Sequence, residues 1–366
     1  MKIICSVHPL LSSLNKRTPD PKMAFQQVWF FLLFLLLPVP TLAKVVRSMS
    51  ECDQFFLHRT PPRVPGILED GTVHNQNRYK PICQTYRNRM RFITLYDVRN
   101  RIPVFSAFRF VEVKDSRRPR TQWRIEPQLE KENANRNMIN LPKHKTFSHQ
   151  AVSTDYRSNR TFDRGHIFPS SYASTAEDKK STFTLTNIVP QAESFNKGSW
   201  GRMERCTRCV MEKYCINSNG ATEGFGVIGA QPSVNQTLNN RVNIPSVLWS
   251  AFCCYNANAK AWMASAHWGD NVPDESKNKH LETKTLEELQ DRLRTADSDF
   301  QVFPGTNCPL NTTVSGFYPE MENCDCPPSS SKPRLSTLTS DSVSSTSASV
   351  PYIYSSLLIY TYHCIF

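Results

Sequence analysis

Apolar and aromatic residues in the middle of the chain are arranged as in β-strands. β-Branched and aromatic residues dominate segments 92–96 and 104–110, and a basic turn separates the two segments. Segments 247–252 and 261–266 have the same character and flank the turn sequence Asn256-Ala257-Asn258. Each pair therefore predicts a hairpin.

Two further segments have a recognisable pattern. Gly226-Val227-Ile228-Gly229-Ala230 is short and apolar, which predicts a buried strand. The capping box Thr285-x-x-Glu288 precedes leucines at helical spacing and predicts the start of a helix. Residues 115–160 are basic and Asn-rich without periodicity, so a surface loop with short helices is expected there.

The first 43 residues have the pattern of a targeting segment. An apolar run from Trp29 to Leu37 is followed by prolines and the small residue Ala43. A membrane-spanning helix needs about 20 apolar residues, so this run is too short for one. It predicts a signal peptide cleaved after Ala43, with a buried core helix as the alternative. Residues 1–22 lie upstream of Met23, which is an alternative start.

The composition changes again near the carboxyl end. Residues 327–349 are rich in Ser, Thr and Pro, which predicts disorder, and 352–366 is apolar but interrupted by polar residues. A lipid-anchor signal is an alternative to a merely disordered terminus. The predicted organisation is residues 1–43 as extension and signal peptide, 44–326 as a folded domain with its core at about 90–300, and 327–366 as a tail. We predict no stable membrane span.

Cysteine usage supports an oxidising compartment. Eleven of the 12 cysteines follow Ala43, and sequons occur at Asn159, Asn235 and Asn311. A secreted chain with this many cysteines is expected to form disulfides, with Cys364 as the simplest unpaired residue. Cys206-x-x-Cys209 is also half of a possible zinc site, but no second pair at metal spacing accompanies it.

The charge indicates a polyanionic partner without choosing one. The formal net charge is +12, and removal of residues 1–43 leaves +9. A basic secreted protein attracts polyanions, which include nucleic acids, heparin-like glycans and anionic lipids.

Residues 161–205 contain the groups that phosphodiester cleavage needs: a base for water, a cation ligand and charge stabilisation. His166 follows Asp163-Arg164-Gly165, and its ordinary pKa near 6.5 suits proton transfer, with activity expected to fall below roughly pH 6. Asn196 and Glu204 lie eight residues apart, about two helical turns. They are therefore expected on one helix face beside the strand that carries His166.

These residues occur in the order Asp-Arg-Gly-His, Asn-Ile-Val-Pro-Gln, Asn-Lys-Gly-Ser-Trp and Glu. The chain thereby resembles the DNA/RNA non-specific endonuclease family with its ββα-metal site, over roughly residues 90–300. The resemblance implies an α+β fold, in which a mixed or antiparallel sheet carries a ββα-metal finger and disulfides decorate the domain. It also implies hydrolysis of DNA and RNA without sequence preference, leaving 5′-phosphate ends.

The resemblance also assigns roles to individual residues. His166 would be the general base and Asn196 the one direct protein ligand of Mg²⁺, with Mn²⁺ as the alternative ion. Glu204 would hold the ion's waters, Asn187 would orient the site, and Arg164 would contact phosphate. A looser match makes Arg120 the arginine that stabilises the transition state. Asp163 is expected to brace the loop, Trp200 to anchor the helix in the core, and His267 to be a packed histidine.

An alternative function belongs to another class. A catalytically weak, secreted protein that binds nucleic acid or glycan would share the fold and the charge. A disulfide-bonded matrix protein is a third hypothesis, but it leaves the compound motif unexplained.

Overall fold

The centre of the molecule is a six-stranded antiparallel sheet. The computed structural model describes residues 45–115, 117–142, 145–157 and 161–318 together with Cys324 and Cys326. The predicted signal peptide, the sequon at Asn159, the tail 327–366 and Cys364 lie outside these residues. The strands are β1 (Leu68–Glu69), β2 (Thr72–Val73), β3 (Tyr79–Tyr86), β4 (Arg89–Asp97), β5 (Ile102–Val111), β6 (Arg124–Ile125), β7 (Ile139–Asn140), β8 (Phe162–His166), β9 (Ile188–Ala192), β10 (Glu223–Leu238), β11 (Val242–Asn256) and β12 (Ala261–Asp270).

The large sheet has the strand order β12-β11-β10-β5-β4-β3, and each neighbouring pair is antiparallel. The two predicted hairpins are confirmed as β4–β5 and β11–β12. The predicted strand at 226–230 is the middle of the much longer β10. Beyond Gln231 the register of β10 against β11 shifts twice, so segment 232–237 pairs irregularly.

Both faces of this sheet are buried, and alternation of side chains separates two cores. Phe108 and Phe110 lie in the core that also contains the residues around His166. Phe105 and Ala107, one residue out of phase, pack with the amino-terminal segment on the other face. Successive side chains of a β-strand point to opposite faces of the sheet. When both faces are covered, successive residues are apolar, as they are in β5.

A ββα unit packs on the first face. β8 pairs with β9 in antiparallel fashion, with His166 opposite Ile188. The chain then continues through α2 (Glu193–Phe195), a π-helical segment (Asn196–Trp200) and α3 (Gly201–Tyr214). Phe195 and Trp200 are almost fully buried, so the expected core role of Trp200 is confirmed.

The remaining helices are short. They are α1 (Ala176–Ser181), α4 (Leu286–Leu293) and α5 (Val314–Phe317), with 3₁₀ turns at Met49–Phe55, Leu57–Arg59, Pro127–Leu129, Ser153–Tyr156 and Leu185–Asn187. Thr285 caps α4 and accepts a hydrogen bond from the Glu288 amide at 3.1 Å, which confirms the predicted capping box. None of the helices in the described ranges has the length and apolar character needed to cross a bilayer.

Among the described residues, five disulfides connect the elements around both cores. Cys253 and Cys254 are neighbours on β11, so their side chains lie on opposite faces of the sheet. Cys253 bonds Cys308 in one core, and Cys254 bonds Cys215 at the end of α3 in the other. The other bonds are Cys52–Cys83, Cys206–Cys326 and Cys209–Cys324. The expectation of disulfides is confirmed, and Cys206 and Cys209 are not zinc ligands.

Candidate active site

Four of the residues predicted for the site line one cleft with a volume of about 610 Å³. The four come from β8 and from the helical run 196–214 that follows β9. They are Arg164, His166, Asn196 and Glu204. The cleft is also lined by residues that the motif did not specify, among them Arg118, Trp123, Lys197 and Arg205.

His166 is held at the end of β8 by a close backbone packing. A Cβ on the preceding Gly165 would lie 2.1 Å from Oε1 and 2.6 Å from Cβ of Gln191, so only glycine fits there. The imidazole ring packs against both Trp123 and Phe183, with ring centroids 5.4 and 4.8 Å away. The β8–β9 pairing therefore fixes the histidine against an aromatic wall.

That environment keeps the imidazole neutral. Burial, and secondarily the nearby charge of Arg118, lower the pKa of His166 to about 3. The Nε2 atom is covered and has no hydrogen-bond partner among the described residues. The expected pKa near 6.5 is therefore wrong for the folded chain, since desolvation penalises the charged ring. A neutral imidazole is the protonation state that a general base needs.

Asp163 fixes the orientation of the Asn196 side chain. The Nδ2 atom of Asn196 donates to Oδ2 of Asp163 at 2.9 Å. An ionised carboxylate only accepts hydrogen bonds, so the amide nitrogen must be the atom that faces it. The Oδ1 atom is thereby left as an acceptor in the cleft. Asp163, which was expected to brace its own loop, thus orients the side chain of Asn196.

Glu204 is a carboxyl group with a raised pKa. Burial raises the pKa of Glu204 to about 7, against the lowering effects of the Trp200 hydrogen bond and of Arg118 and Arg205. Trp200 donates from Nε1 to Oε1 of Glu204 at 3.1 Å. Trp200 therefore anchors the helix and also aims the carboxylate.

The predicted single helix from Asn196 to Glu204 requires a correction. Both residues line the cleft, but Asn196 lies in the π-helical segment and Glu204 in α3. Gly198 between them has φ −96° and ψ −112°, outside helical values. The helix is thus interrupted between the two functional residues.

The two arginines expected at the site lie in different positions relative to the cleft. Arg164 lies over the rings of Trp123 and Tyr156 and donates to the Ser153 carbonyl at 3.1 Å. Arg120 is exposed and does not line the cleft. Arg118, which is also exposed, does line the cleft, with its guanidinium 5.4 Å from the centre of the Phe183 ring. The role expected of Arg120 stays a prediction.

Asn187 lies beneath the cleft. Its side chain is fully buried. Oδ1 accepts from the Phe168 amide at 2.9 Å and from Ser106 at 3.1 Å, and Nδ2 donates to two backbone carbonyls. With its amide group occupied, Asn187 fixes the backbone just after His166 and has no free group for substrate.

The sequence profile of the DNA/RNA non-specific endonuclease family matches residues 70–307. The chain belongs to this family. The match covers the large sheet, the ββα unit and α4, and it agrees with the resemblance seen in the sequence motif.

Relatives of this nuclease-family chain are similar over part of their length. The human endonuclease domain-containing 1 protein is 31% identical over 213 residues, which are 57% of this chain and 39% of the relative. A nuclease of Serratia marcescens is 28% identical over 30% of this chain and 41% of its own. One chain of a solved EndoG/EndoGI inhibition complex aligns with a TM-score of 0.37 and 16% identity, over 52% of this chain and 76% of that one.

The donor set of this endonuclease-family site fits a hydrated Mg²⁺. The described residues contain no cluster of three or more His, Cys, Asp or Glu side chains that would enclose a metal ion. They do present the Asn196 Oδ1 acceptor in the same cleft as the Glu204 carboxyl group. Mg²⁺ retains several waters and is commonly held by one or two protein oxygens, so this sparse set is sufficient.

His267, in contrast, is a packed residue. It is 4% exposed, and burial lowers its pKa to about 4. Its Nε2 lies 3.3 Å from Thr283 Oγ1. His267 is not among the residues that line the cleft.

Proposed function

We propose that this domain is a secreted endonuclease that hydrolyses phosphodiester bonds of DNA and RNA without sequence preference and depends on Mg²⁺ or Mn²⁺. Membership of the nuclease family supports the reaction class. The observation that carries the proposal is the neutral His166, which faces the same cleft as the Asn196 Oδ1 acceptor and the Glu204 carboxyl group. A protein that only binds polyanions needs cations but no such base.

The catalytic role of His166 follows from its charge state. A neutral imidazole accepts a proton from the attacking water as the new bond to phosphorus forms. The bond from phosphorus to the 3′ oxygen breaks in the same displacement, and the leaving oxygen takes a proton from solvent, so that the products are a 3′-hydroxyl and a 5′-phosphate. His166 returns to neutrality by releasing the proton to solvent, which its low pKa favours.

Asn196 would hold the ion through Oδ1, and ionised Glu204 would accept hydrogen bonds from the ion's waters. When bound, the ion supplies positive charge to the scissile phosphate and to the leaving oxygen. The protein's part is to fix the amide through Asp163 and the carboxylate through Trp200.

The other cleft residues support binding through the phosphate backbone. Arg118, Arg164, Lys197 and Arg205 line the cleft. Guanidinium and ammonium groups bind phosphate oxygens of any nucleic acid and carry no sequence information directly. Arg118 and Arg164 are held against aromatic rings, so they are positioned before substrate arrives.

Secretion is supported by the disulfides and by the positions of the sequons. Five disulfides are typical of chains that fold in an oxidising compartment. The sequon asparagines Asn235 and Asn311 are exposed and do not line the cleft. A glycan at either position would therefore leave the site open.

A plasmid assay tests the function. Purified protein with Mg²⁺ should convert supercoiled plasmid to nicked circles and then to a smear, and should degrade a structured RNA. Excess EDTA should stop both reactions. Activity that persists in EDTA would contradict the metal assignment, and discrete bands would contradict the lack of sequence preference. Binding without any cleavage would favour the alternative of a catalytically weak binding protein.

A further inference from the structure

The loop after β12 contacts the end of β9 and the helical run that carries Asn196. Asn271 accepts from the Ala192 amide at 2.8 Å and donates to the carbonyls of Pro190 and Pro245, both at 2.9 Å. These bonds fix the point where β9 ends. Three residues later, Asp274 contacts the π-helical segment itself.

Asp274 is a buried carboxylate with its oxygens occupied by that segment. Oδ2 accepts from the Ser199 amide and Oδ1 from the Ser199 hydroxyl, each at 2.7 Å. The guanidinium of Arg202 lies 3.7 Å away, and the Asp274 side chain is 4% exposed. The Asp274 amide donates to Ser194 Oγ at 2.9 Å, so the loop holds residues on both sides of Asn196.

The sequence Asn-Lys-Gly-Ser-Trp accommodates this carboxylate. A Cβ on Gly198 would lie 2.3 Å from Asp274 Oδ2, so glycine leaves the space that the carboxylate occupies. Gly198 is also the residue whose backbone leaves helical values. π-Helical turns cost hydrogen-bond geometry and occur frequently at functional sites. A charge-assisted pair of hydrogen bonds compensates for that cost here.

We infer that Asp274 is the positioning residue that holds the π-helical segment in register and thereby sets where the Asn196 amide stands. This inference rests on the proposed function, because Asn196 is the ligand that it positions. Asp274 does not line the cleft, so it acts through Ser199 and not on substrate. No feature of the sequence around Asp274 distinguishes it from the other acidic residues of a polar loop.

The test replaces Asp274 with Asn, which has the same size. The NH₂ group of Asn cannot accept a hydrogen bond, so one of the two Ser199 donors loses its acceptor. The Mg²⁺ concentration for half-maximal plasmid cleavage should rise about ten-fold, in line with the loss of one charge-assisted hydrogen bond. The rate at saturating Mg²⁺ should largely recover. Amide hydrogen exchange of residues 196–200 should be faster than in the wild type, without any metal or substrate present.

Asp97→Asn is the matched control. Asp97 is a carboxylate equally buried, bound to Arg78 at 2.7 Å in the β4–β5 turn and absent from the cleft. This variant should lose stability without a change in Mg²⁺ dependence or in exchange at 196–200. Ser199→Ala, which removes only the hydroxyl contact, should shift the Mg²⁺ dependence in the same direction but less, and it serves if Asp274→Asn does not fold.

Three outcomes would overturn the inference. The first is wild-type Mg²⁺ dependence in the Asp274 and Ser199 variants. The second is an equal shift in Asp97→Asn, which would mean general destabilisation. The third is a loss of rate that no Mg²⁺ concentration restores while exchange at 196–200 is unchanged, which would mean that Asp274 does not act through the π-helical segment. An inactive wild type would instead contradict the proposed function, and the exchange comparison would still decide whether Asp274 holds the segment.

Discussion

At the scale of single residues, the surroundings of His166 and Glu204 shift the pKa values of these two groups in opposite directions. Burial moves the pKa of a cation and of an acid in opposite directions, because it penalises the charged form of each. His166 therefore has a pKa of about 3 and Glu204 one of about 7. His166 is neutral throughout the physiological range, whereas Glu204 gains or loses its charge near neutrality.

The pH dependence follows from this separation. As pH falls through about 7, Glu204 takes up a proton and loses the charge that would hold the ion's waters. The cleavage rate should therefore fall on the acid side with an apparent pKa near 7, and higher Mg²⁺ should move this limb to lower pH, because a cation favours the ionised carboxylate. Rate profiles at two Mg²⁺ concentrations measure this.

Glu204→Gln provides the control for the acid limb. The variant should be slower and should lack the limb near pH 7, since no ionisable group remains at that position. A limb near pH 6.5 that survives in this variant would return the titration to His166 and contradict the low pKa of that histidine.

The sequence predicted the proximity of the site residues where the motif is compact, and their roles stay predictions. His166, Asn196 and Glu204 lie within 39 positions of one another, and the structure brings all three to one cleft. The sequence did not indicate that Arg118 lines the cleft and Arg120 does not, because the surrounding loop has no periodicity that would fix the side-chain directions. Asp274 was missed because it is 75 residues from its partner Ser199.

At the scale of elements, Gly165 and Gly198 allow neighbouring side chains to pack closely against the backbone, which no helical or strand pattern in the sequence reveals. The β-branched and aromatic content of the flanking segments predicted the β4–β5 and β11–β12 hairpins. It did not predict the length of β10, whose end is polar and irregularly paired. The helical spacing of Asn196 and Glu204 predicted their common cleft but not the π-helical interruption, which depends on the packing of Gly198 against Asp274.

Gly165 gives a prediction at this scale. In Gly165→Ala the new Cβ would meet Cβ of Gln191, an atom next to the backbone that cannot move without shifting β9. Overpacking of this kind typically costs about 1–3 kcal/mol of unfolding free energy. Urea unfolding measures the loss, with Gly316→Ala as the control, because its nearest atom is 4.0 Å away. Equal stability of the two variants would contradict the close packing of β8 on β9.

At the scale of the whole molecule, disulfides join the two cores to the sheet and to the site. Cys206 follows Glu204 by two residues on α3 and bonds Cys326, 120 residues later. The sequence predicted that these cysteines are oxidised but not their pairing, since many connectivities fit a given number of cysteines. Cys253 and Cys254 are adjacent on one strand, which places their side chains on opposite faces of the sheet. Each therefore bonds a cysteine in a different core.

Peptide mapping without reduction tests that pairing. Protein recovered from the medium of expressing cells should yield Cys253–Cys308 and Cys215–Cys254 as separate cross-linked peptides, because the sheet lies between them. Peptides that join Cys253 to Cys215 and Cys254 to Cys308 would contradict the disulfide arrangement. So would alkylation of most cysteines without prior reduction, or stoichiometric zinc in the protein. Failure to recover protein from the medium would contradict secretion.

The central claim is that His166 and Asn196 have different tasks in one cleft, and the rate of plasmid cleavage as a function of Mg²⁺ concentration tests it most directly. His166→Ala should lose roughly 10²–10⁴-fold in rate, the usual contribution of general-base catalysis, and Mg²⁺ should not restore it. Asn196→Ala should require more Mg²⁺ and recover part of its rate at high concentration. Near-wild-type cleavage by His166→Ala would refute the mechanism, and rescue of that variant by Mg²⁺ would mean that the two roles are exchanged.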